Sequence, residues 1–182
     1  MKQVHKRYLK ERGFDPEEIA GKWSVQGIAL ASRLCWRLFI PIHHQGNVVS
    51  WTTRSICPEA NQRYIAAKAG EEAMPARSLL YGEDHARHGI IVVEGPLDAW
   101  RIGFGAVAAL GVSYGREQVA RMSKYPVRAI CFDSDPKAQR RAAKLCETLR
   151  VFPGRTVRVE LDAEDPGSAS VKEIRKLRRE FL

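Results

Sequence analysis

A β-hairpin dominates the pattern of apolar and polar residues in the first half of the chain. The segment "RLFIPIHHQGNVVSWTTRSI" predicts one strand at residues 38–42, a turn at 45–47 and a return strand at 48–53. Upstream, "FDPEEIAGKW" predicts a short helix, because Asp15 is a typical cap and the next residues suit a first turn. Residues 57–88 are less regular, and "RYIAA" is their only strand-like piece.

From residue 89 onward, apolar strands alternate with helices. The predicted strands are residues 90–93, 106–110, 127–132 and 156–161. The predicted helices are residues 96–102, 116–124 and 136–150, followed by a closing helix in "SVKEIRKLRREFL". Because the strands are apolar throughout, this order predicts a parallel sheet that is covered on both faces. The chain is therefore expected to be an α/β protein.

Two of these helices are predicted to be amphipathic. The helix at residues 136–150 places four apolar residues on one face, namely Ala138, Ala142, Leu145 and Leu149. The closing helix does the same with Val171, Ile174, Leu177 and Phe181. The change of pattern near residue 89 predicts two domains, a small mixed α/β N-terminal subdomain at 1–88 and an α/β domain at 89–182.

Composition adds an expected partner and compartment. The 182 residues are 45% hydrophobic, which supports a folded core, and 30 Lys and Arg against 21 Asp and Glu give a formal charge of +9. This charge favours nucleic acid as a partner, although a basic protein without such a partner is the alternative. The four cysteines, Cys35, Cys57, Cys131 and Cys146, are too far apart in sequence for a Cys-x-x-Cys zinc site. With no apolar stretch of membrane-spanning length, we expect a cytoplasmic protein and no membrane partner.

Acidic residues follow the predicted strands at their carboxyl ends. Glu94 follows the strand at 90–93, Asp133 and Asp135 follow the third strand, and Asp165 follows the fourth. Ligands of open parallel sheets bind beyond the carboxyl ends of the strands, so these acids are expected to meet at one edge. Crowded carboxylates repel one another, and a hard divalent cation such as Mg²⁺ or Mn²⁺ relieves that repulsion. Acids that only solvate loops are the alternative.

Several motifs resemble those of the Toprim domain of primases, topoisomerases and some nucleases. "VVEGPLDAW", "CFDSDPKAQRRA" and "DAEDPGS" are similar to its acidic motifs. Among these groups the resemblance is closest to bacterial and phage primases, since "RLFIPIHHQGNVVSWTTRSI", "RYIAA", "SLLYGEDHAR" and "AALGVSYG" are similar to other primase segments. It extends from about residue 8 to about residue 173. It implies a Toprim fold, a Rossmann-like parallel sheet with flanking helices, behind the basic N-terminal subdomain.

The resemblance also implies roles for individual residues. The acids that would bind metal are Glu94, Asp98, Asp133, Asp135 and Asp165, and Glu94, Asp133 and Asp135 among them would be catalytic. The arginines that would bind nucleotide or template are Arg54, Arg63, Arg77 and Arg87. The cation-rich stretch from 137 to 158 adds Arg140 and Arg141 as candidates, with a merely solvated helix face as the alternative.

The implied activity is primer synthesis on single-stranded DNA from NTPs by two-metal phosphoryl transfer. The alternatives are a Toprim nuclease and a replication accessory that binds nucleic acid without catalysis. Some positions depart from the primase pattern: Gly167 stands where a second Asp is common, and Arg77 is the nearest cation to a usual lysine. Primases also carry a zinc ribbon and a helicase or helicase-binding segment, so this chain is expected to be a minimal catalytic core, a fragment, or a relative that recruits those parts as separate partners.

Overall fold

The computed structural model describes residues 1–111 and 114–182, which form two compact units, Met1–Ala76 and Arg77–Leu182. Residues 77–88, which the sequence assigned to the N-terminal subdomain, are part of the second unit. Val112 and Ser113, inside the primase-like segment "AALGVSYG", lie outside the described residues. No helix within the described residues combines the length and the apolar character that crossing a membrane requires.

The first unit contains two helices and an antiparallel sheet. The helices are α1 (Gln3–Glu11) and α2 (Pro16–Trp23). The strands, in their order across the sheet, are β1 (Gln26–Ile28), β2 (Arg37–His44), β3 (Asn47–Ser55) and β4 (Tyr64–Ala66). The predicted hairpin is β2 and β3. Strand β4 lies within the predicted "RYIAA". Helix α1 was not predicted, because it buries only His5 and Leu9 and so has almost no apolar pattern.

Local side-chain chemistry explains where two elements of the first unit begin and turn. The carboxylate of Asp15 accepts the backbone N–H groups of Glu17 and Glu18, at 2.8 and 3.1 Å, which caps α2. The β2–β3 connection is Gln45 and Gly46, with φ angles of 54° and 79°. Two successive residues with positive φ form the tight turn whose twist suits a two-residue hairpin. The turn is therefore one residue shorter than the sequence suggested.

The second unit is a parallel sheet with helices on it. The strands are β5 (Gly89–Val93), β6 (Ala106–Ala108), β7 (Val127–Ile130) and β8 (Arg155–Arg158). Their order across the sheet is β6-β5-β7-β8, and all three pairings are parallel. The helices are α3 (Pro96–Ile102), α4 (Arg116–Met122), α5 (Pro136–Arg150) and α6 (Val171–Phe181). The predicted α/β class and parallel sheet are confirmed.

The core of this unit lies between the sheet and α5. Every residue of β5 is buried, as are all four residues of the predicted apolar face of α5. Burying these side chains together supplies the main favourable term for folding. On α6 the prediction is wrong for Val171, which is 61% exposed, because only the three later apolar residues reach the sheet.

Three strands differ from their sequence-based description, and two of them, β6 and β7, end two residues earlier than predicted, at Ala108 and Ile130. The prediction for the fourth strand is wrong at its end, since β8 stops at Arg158, the partner of Ile130, where β7 also stops. The prediction that the strands are apolar throughout is wrong for β8, which carries the exposed Arg155 and Arg158, and for β7, which carries the fully buried Arg128. The structure tolerates this arginine because its guanidinium donates to carbonyls of surrounding turns, including that of Tyr125 at 2.8 Å.

Candidate catalytic acids at the carboxyl edge of the parallel sheet

Glu94 and Asp133 lie at the same edge of the sheet. Strands β5 and β7 are parallel neighbours, and Val92 pairs with Ile130. Glu94 leaves β5 two residues after that pair, and Asp133 leaves β7 three residues after it. The backbone N–H of Asp133 lowers the pKa of Glu94, and the charge of Glu94 raises that of Asp133, so the two acids lie close enough to interact. The expected meeting of these two acids is therefore present in the structure.

Asp133 is the most electrostatically strained acid of the group. Its pKa is raised from 3.8 to about 7, mainly by burial and then by the charges of Asp98, Glu94, Asp165 and Asp135, in that order. Its Oδ1 atom is buried, and no hydrogen-bond donor reaches it from the described residues. A buried carboxylate oxygen without a donor gains either from a proton or from a cation. Asp133 is therefore the residue with the strongest need for a positive ligand.

Glu94 is paired with Arg141 on α5. The Arg141 Nη2 atom lies 2.8 Å from Oε1 and 2.9 Å from Oε2 of Glu94. Burial raises the pKa of Glu94, and the charge and hydrogen bonds of Arg141 oppose that rise. The structure thus places Arg141, predicted to bind nucleotide or template, on one of the predicted metal ligands. A metal at Glu94 has to compete with this guanidinium.

Asp98 fastens two backbone segments together. Its Oδ2 accepts the N–H of Gly95 at 3.0 Å, and its Oδ1 accepts the N–H of Gly167 at 3.1 Å. The first bond caps α3, and the second holds the 3₁₀ turn Pro166–Ser168 against that helix. Burial raises the pKa of Asp98 to about 6 in spite of these bonds. With both oxygens engaged by backbone donors, Asp98 has a clear structural role beside the metal role implied by the resemblance.

Asp135 and Asp165 cap the elements that follow them. Asp135 Oδ1 accepts the N–H groups of Lys137 and Ala138, at 2.9 and 3.1 Å, at the start of α5. Asp165 Oδ1 accepts the N–H of Ser168 at 2.7 Å. The charges of both acids act on Asp133, so they belong to the same cluster. They contribute negative potential while their backbone bonds fix where they stand.

The donor set suits a hard cation, although the present geometry is not closed around one. Among the residues that the structure describes, no three His, Cys, Asp or Glu side chains are close enough to hold a metal ion. The reason lies in the bonds already described, since Arg141 occupies Glu94 and the capping bonds orient Asp135 and Asp165. The unsatisfied Oδ1 of Asp133 is the feature that fits a metal. The predicted metal site stays a prediction.

Gln139 is a residue that the sequence did not single out. Its amide Nε2 donates to the carbonyls of Phe132 and Asp133, at 3.3 and 2.8 Å. The amide thereby ties the acidic loop to the first turn of α5. Nothing in "PKAQRR" marks this glutamine, because its role depends on how the loop folds back over the helix.

Arg54, predicted to bind nucleotide or template, is buried in the first unit between two tyrosines. It is only 6% exposed, and its Nε donates to the Tyr8 hydroxyl at 3.1 Å. Its guanidinium carbon lies 4.9 Å from the centre of the Tyr64 ring, which is a cation–π distance. In contrast, Arg63 is exposed. In the second unit, Arg77, Arg87 and Arg140 are exposed.

The crowding at Gly167 leads to a first prediction. A Cβ atom there would lie 2.9 Å from Asp98 Oδ1 and 3.1 Å from Asp165 Oδ1. We expect Gly167→Ala to lower the free energy of unfolding by about 1–3 kcal/mol, because overpacking displaces the Asp98 bond. Gly21→Ala is the matched control, since no atom lies within 4 Å of its added Cβ and alanine favours a helix. If chemical denaturation shows equal stability for the two variants, the Gly167–Asp98 hydrogen bond does not stabilise the fold as predicted.

A second prediction concerns pH without metal. Asp133 and Asp98 have folded pKa values of about 7 and about 6, both raised from 3.8. Between pH 4 and pH 7, roughly, the folded protein therefore holds protons that the unfolded chain has released, and its stability falls as pH rises. Thermal unfolding in EDTA should show a lower Tm at pH 8 than at pH 5.5. Asp133→Asn should reduce this difference, and an identical pH dependence in both proteins would refute the idea.

Comparison with solved structures identifies the fold. No protein-family model matches the sequence, and no curated protein matches it. The Aquifex aeolicus primase (zinc-binding and RNA polymerase domains) superposes with a TM-score of 0.83 at 21% identity, over 98% of this chain and 55% of that one. The DnaG primase catalytic domain bound to ssDNA gives 0.78 at 18% identity, over 98% and 71%. The primase fragment of the bacteriophage T7 primase-helicase gives 0.68 at 18%, over 94% and 72%.

These similarities show the fold of a primase catalytic core. They cover nearly the whole chain, which itself spans about half the length of the Aquifex protein. The resemblance that the motifs indicated is thus confirmed at the level of fold.

Proposed function

We propose that this chain is a primase-like nucleotidyltransferase that makes short primers on single-stranded DNA. The observation that carries the proposal is the position of Glu94 and Asp133 side by side at the carboxyl edge of the parallel sheet, in the fold of a primase catalytic core. This is the edge at which α/β sheets bind their ligands. The site also lies in a chain with a formal charge of +9, which suits a polyanionic template.

Glu94 and Asp133 would hold Mg²⁺ or Mn²⁺, with Asp135 and Asp165 completing the negative site. The bound metal would polarise the α-phosphate of an NTP and lower the cost of forming the attacking alkoxide. A metal at Glu94 would compete with Arg141, because both oxygens of Glu94 accept from the Nη2 atom of that guanidinium. Arg141, once released, stands beside the site as a cation for the triphosphate. Asp98 keeps the turn that carries Asp165 in place.

The remaining arginines would bind template and nucleotide. Arg63, Arg77, Arg87 and Arg140 are exposed and can reach phosphate groups directly. Arg54 is held by tyrosines, so it would present a fixed rather than a mobile guanidinium. The ssDNA-bound DnaG structure and the primase-helicase of bacteriophage T7 support single-stranded DNA as template and a helicase as a partner. A zinc-ribbon module for reading the template is a further expected partner.

One observation favours a second candidate, a replication accessory that binds nucleic acid without catalysis. Arg141 neutralises Glu94 in the present structure, as it would in a protein that had lost its metal. A Toprim nuclease is a third possibility, in which water would replace the 3′-hydroxyl as nucleophile.

One assay separates the three functions. The protein is incubated with labelled NTPs, single-stranded DNA and Mg²⁺ or Mn²⁺, and the products are resolved on a denaturing gel. Extension products of a few nucleotides support the primase proposal. Shortened DNA supports the nuclease. Bound but unchanged DNA supports the accessory and would overturn the proposal.

A further inference from the structure

Helix α6 (Val171–Phe181) carries a stripe of cations on its solvent side. Its buried residues are Ile174, Leu177 and Phe181, which pack the helix against the rest of the second unit. Four exposed cations, here called the α6 stripe, are Lys172, Arg175, Lys176 and Arg179. They recur at i, i+3, i+4 and i+7, which is the spacing of one helical face. Like charges at these spacings repel one another, so the stripe costs folding stability unless a ligand compensates it.

Among the described residues, no acid neutralises the α6 stripe. Both acids of the helix are engaged elsewhere: Glu173 accepts the N–H and hydroxyl of Ser170, and Glu180 lies 3.1 Å from Arg155. The fifth cation of the helix, Arg178, donates to the carbonyls of Ile102 and Phe104. Within residues 1–111 and 114–182, no acid pairs with any side chain of the stripe.

The α6 stripe begins beside the candidate catalytic acids. The 3₁₀ turn Pro166–Ser168, capped by Asp165, comes just before α6. At the other end of the helix, the carbonyl of Phe181 packs against Gly89, the first residue of β5. Helix α6 therefore runs from the carboxyl edge of the sheet toward its amino edge. At 1.5 Å per residue the stripe is about 10 Å long, which is about three phosphates of a stacked strand.

We propose that the α6 stripe binds the phosphate backbone of single-stranded DNA as it leaves the acidic edge. The path of the DNA, from the acidic edge onto the stripe, rests on the proposed function. A nucleic acid fits better than an acidic protein, because a protein interface needs an apolar centre and no apolar residue stands within the stripe. A phosphate backbone needs only regularly spaced cations. The stripe would add affinity without sequence preference and would keep the template aligned with the acids.

Binding to fluorescein-labelled dT20, measured by anisotropy at several salt concentrations, tests the proposal. The variant changes all four stripe residues to glutamine, which keeps helix propensity. We expect an affinity about tenfold lower or worse at low salt, and a slope of log affinity against log salt that is shallower by about 2. Arg175→Gln with Arg179→Gln should show about half of the change in slope, and provides a milder variant should the fourfold change impair folding.

A matched control removes the same charge from scattered positions. It changes four exposed cations outside the stripe, Lys2, Lys10, Lys68 and Lys124, to glutamine. If this control loses as much affinity and slope as the stripe variant, net charge alone explains binding and the proposal is wrong. It is also wrong if the stripe variants bind dT20 like the wild type, which would leave an acidic protein as the occupant. A wild type that binds dT20 through the stripe but makes no primers would overturn the proposed function alone.

Discussion

Asp133→Asn should reduce primer extension by about 100-fold or more while leaving the binding of single-stranded DNA unchanged or slightly tighter. Asparagine keeps the size of the side chain but removes the charge that would hold the metal, and this stabilisation acts mainly in the transition state. Among the acids of this cluster, Asp133 has the buried carboxylate oxygen, Oδ1, that no donor of the described residues reaches. The extension assay and the anisotropy measurement are made on the same protein preparation.

Asp162→Asn is the control for the loss of one negative charge. Asp162 is exposed and lies close in sequence to Asp165. This variant should extend primers at the wild-type rate. An Asp133→Asn protein that extends primers as fast as the wild type would remove Asp133 from the catalytic site. If Asp133→Asn also loses DNA binding, Asp133 supports the fold and not the chemistry.

The ion pair of Glu94 and Arg141 links the acids to the cations of the site. Its members are 17% and 21% exposed, so separating them leaves two poorly solvated charges. Metal at Glu94 and phosphate at Arg141 would each supply a replacement partner. The two ligands should therefore bind more favourably together than either does alone, which is the behaviour required of an enzyme that uses metal-bound nucleotide.

The starts of helices and the apolar strands were predictable because their signals are local. Asp15 and Asp135 cap helices within three residues of themselves, and α5 shows its buried face in its own periodicity. The meeting of Glu94 and Asp133 was also predictable, because parallel strands bring their carboxyl ends to one edge. Each of these inferences needed only the neighbouring residues or a rule of sheet topology.

The contacts that define the site in detail could not be predicted. Glu94 and Arg141 are 47 residues apart, and Asp98 and Gly167 are 69 apart. Both pairings depend on how a loop or helix is placed over the sheet edge. The resemblance implied a metal role for Asp98, but the sequence carried no sign that the N–H of the distant Gly167 would bond to one of its oxygens. The burial of Arg128 could not be predicted for the same reason, since its hydrogen-bond partners come from three separate turns and strands.

Arg128→Met should lower the free energy of unfolding by about 3 kcal/mol. The guanidinium is fully buried, donates to the Thr156 hydroxyl at 2.8 Å, and reaches the carbonyls of Ser123, Tyr125 and Phe152. Methionine fills much of the volume but leaves these acceptors without a donor, at about 1–3 kcal/mol for each one that water cannot reach. Relief of the buried charge, whose desolvation lowers the pKa of Arg128, offsets part of this cost.

Thermal and chemical unfolding measure the effect of Arg128→Met against that of Arg158→Met. Arg158 lies on the neighbouring strand and is 42% exposed in a surface pair with Glu160, so its loss should cost less than about 1 kcal/mol. A loss of 3 kcal/mol corresponds to a fall in Tm of about 6–12 °C for a chain of this size. The double variant Arg128→Met with Thr156→Val should cost less than the sum of the two single changes, because the hydroxyl loses its value once its donor is gone. Equal stability of the Arg128 and Arg158 variants would show that turn carbonyls rehydrate freely, and that β7 needs no cation at its centre.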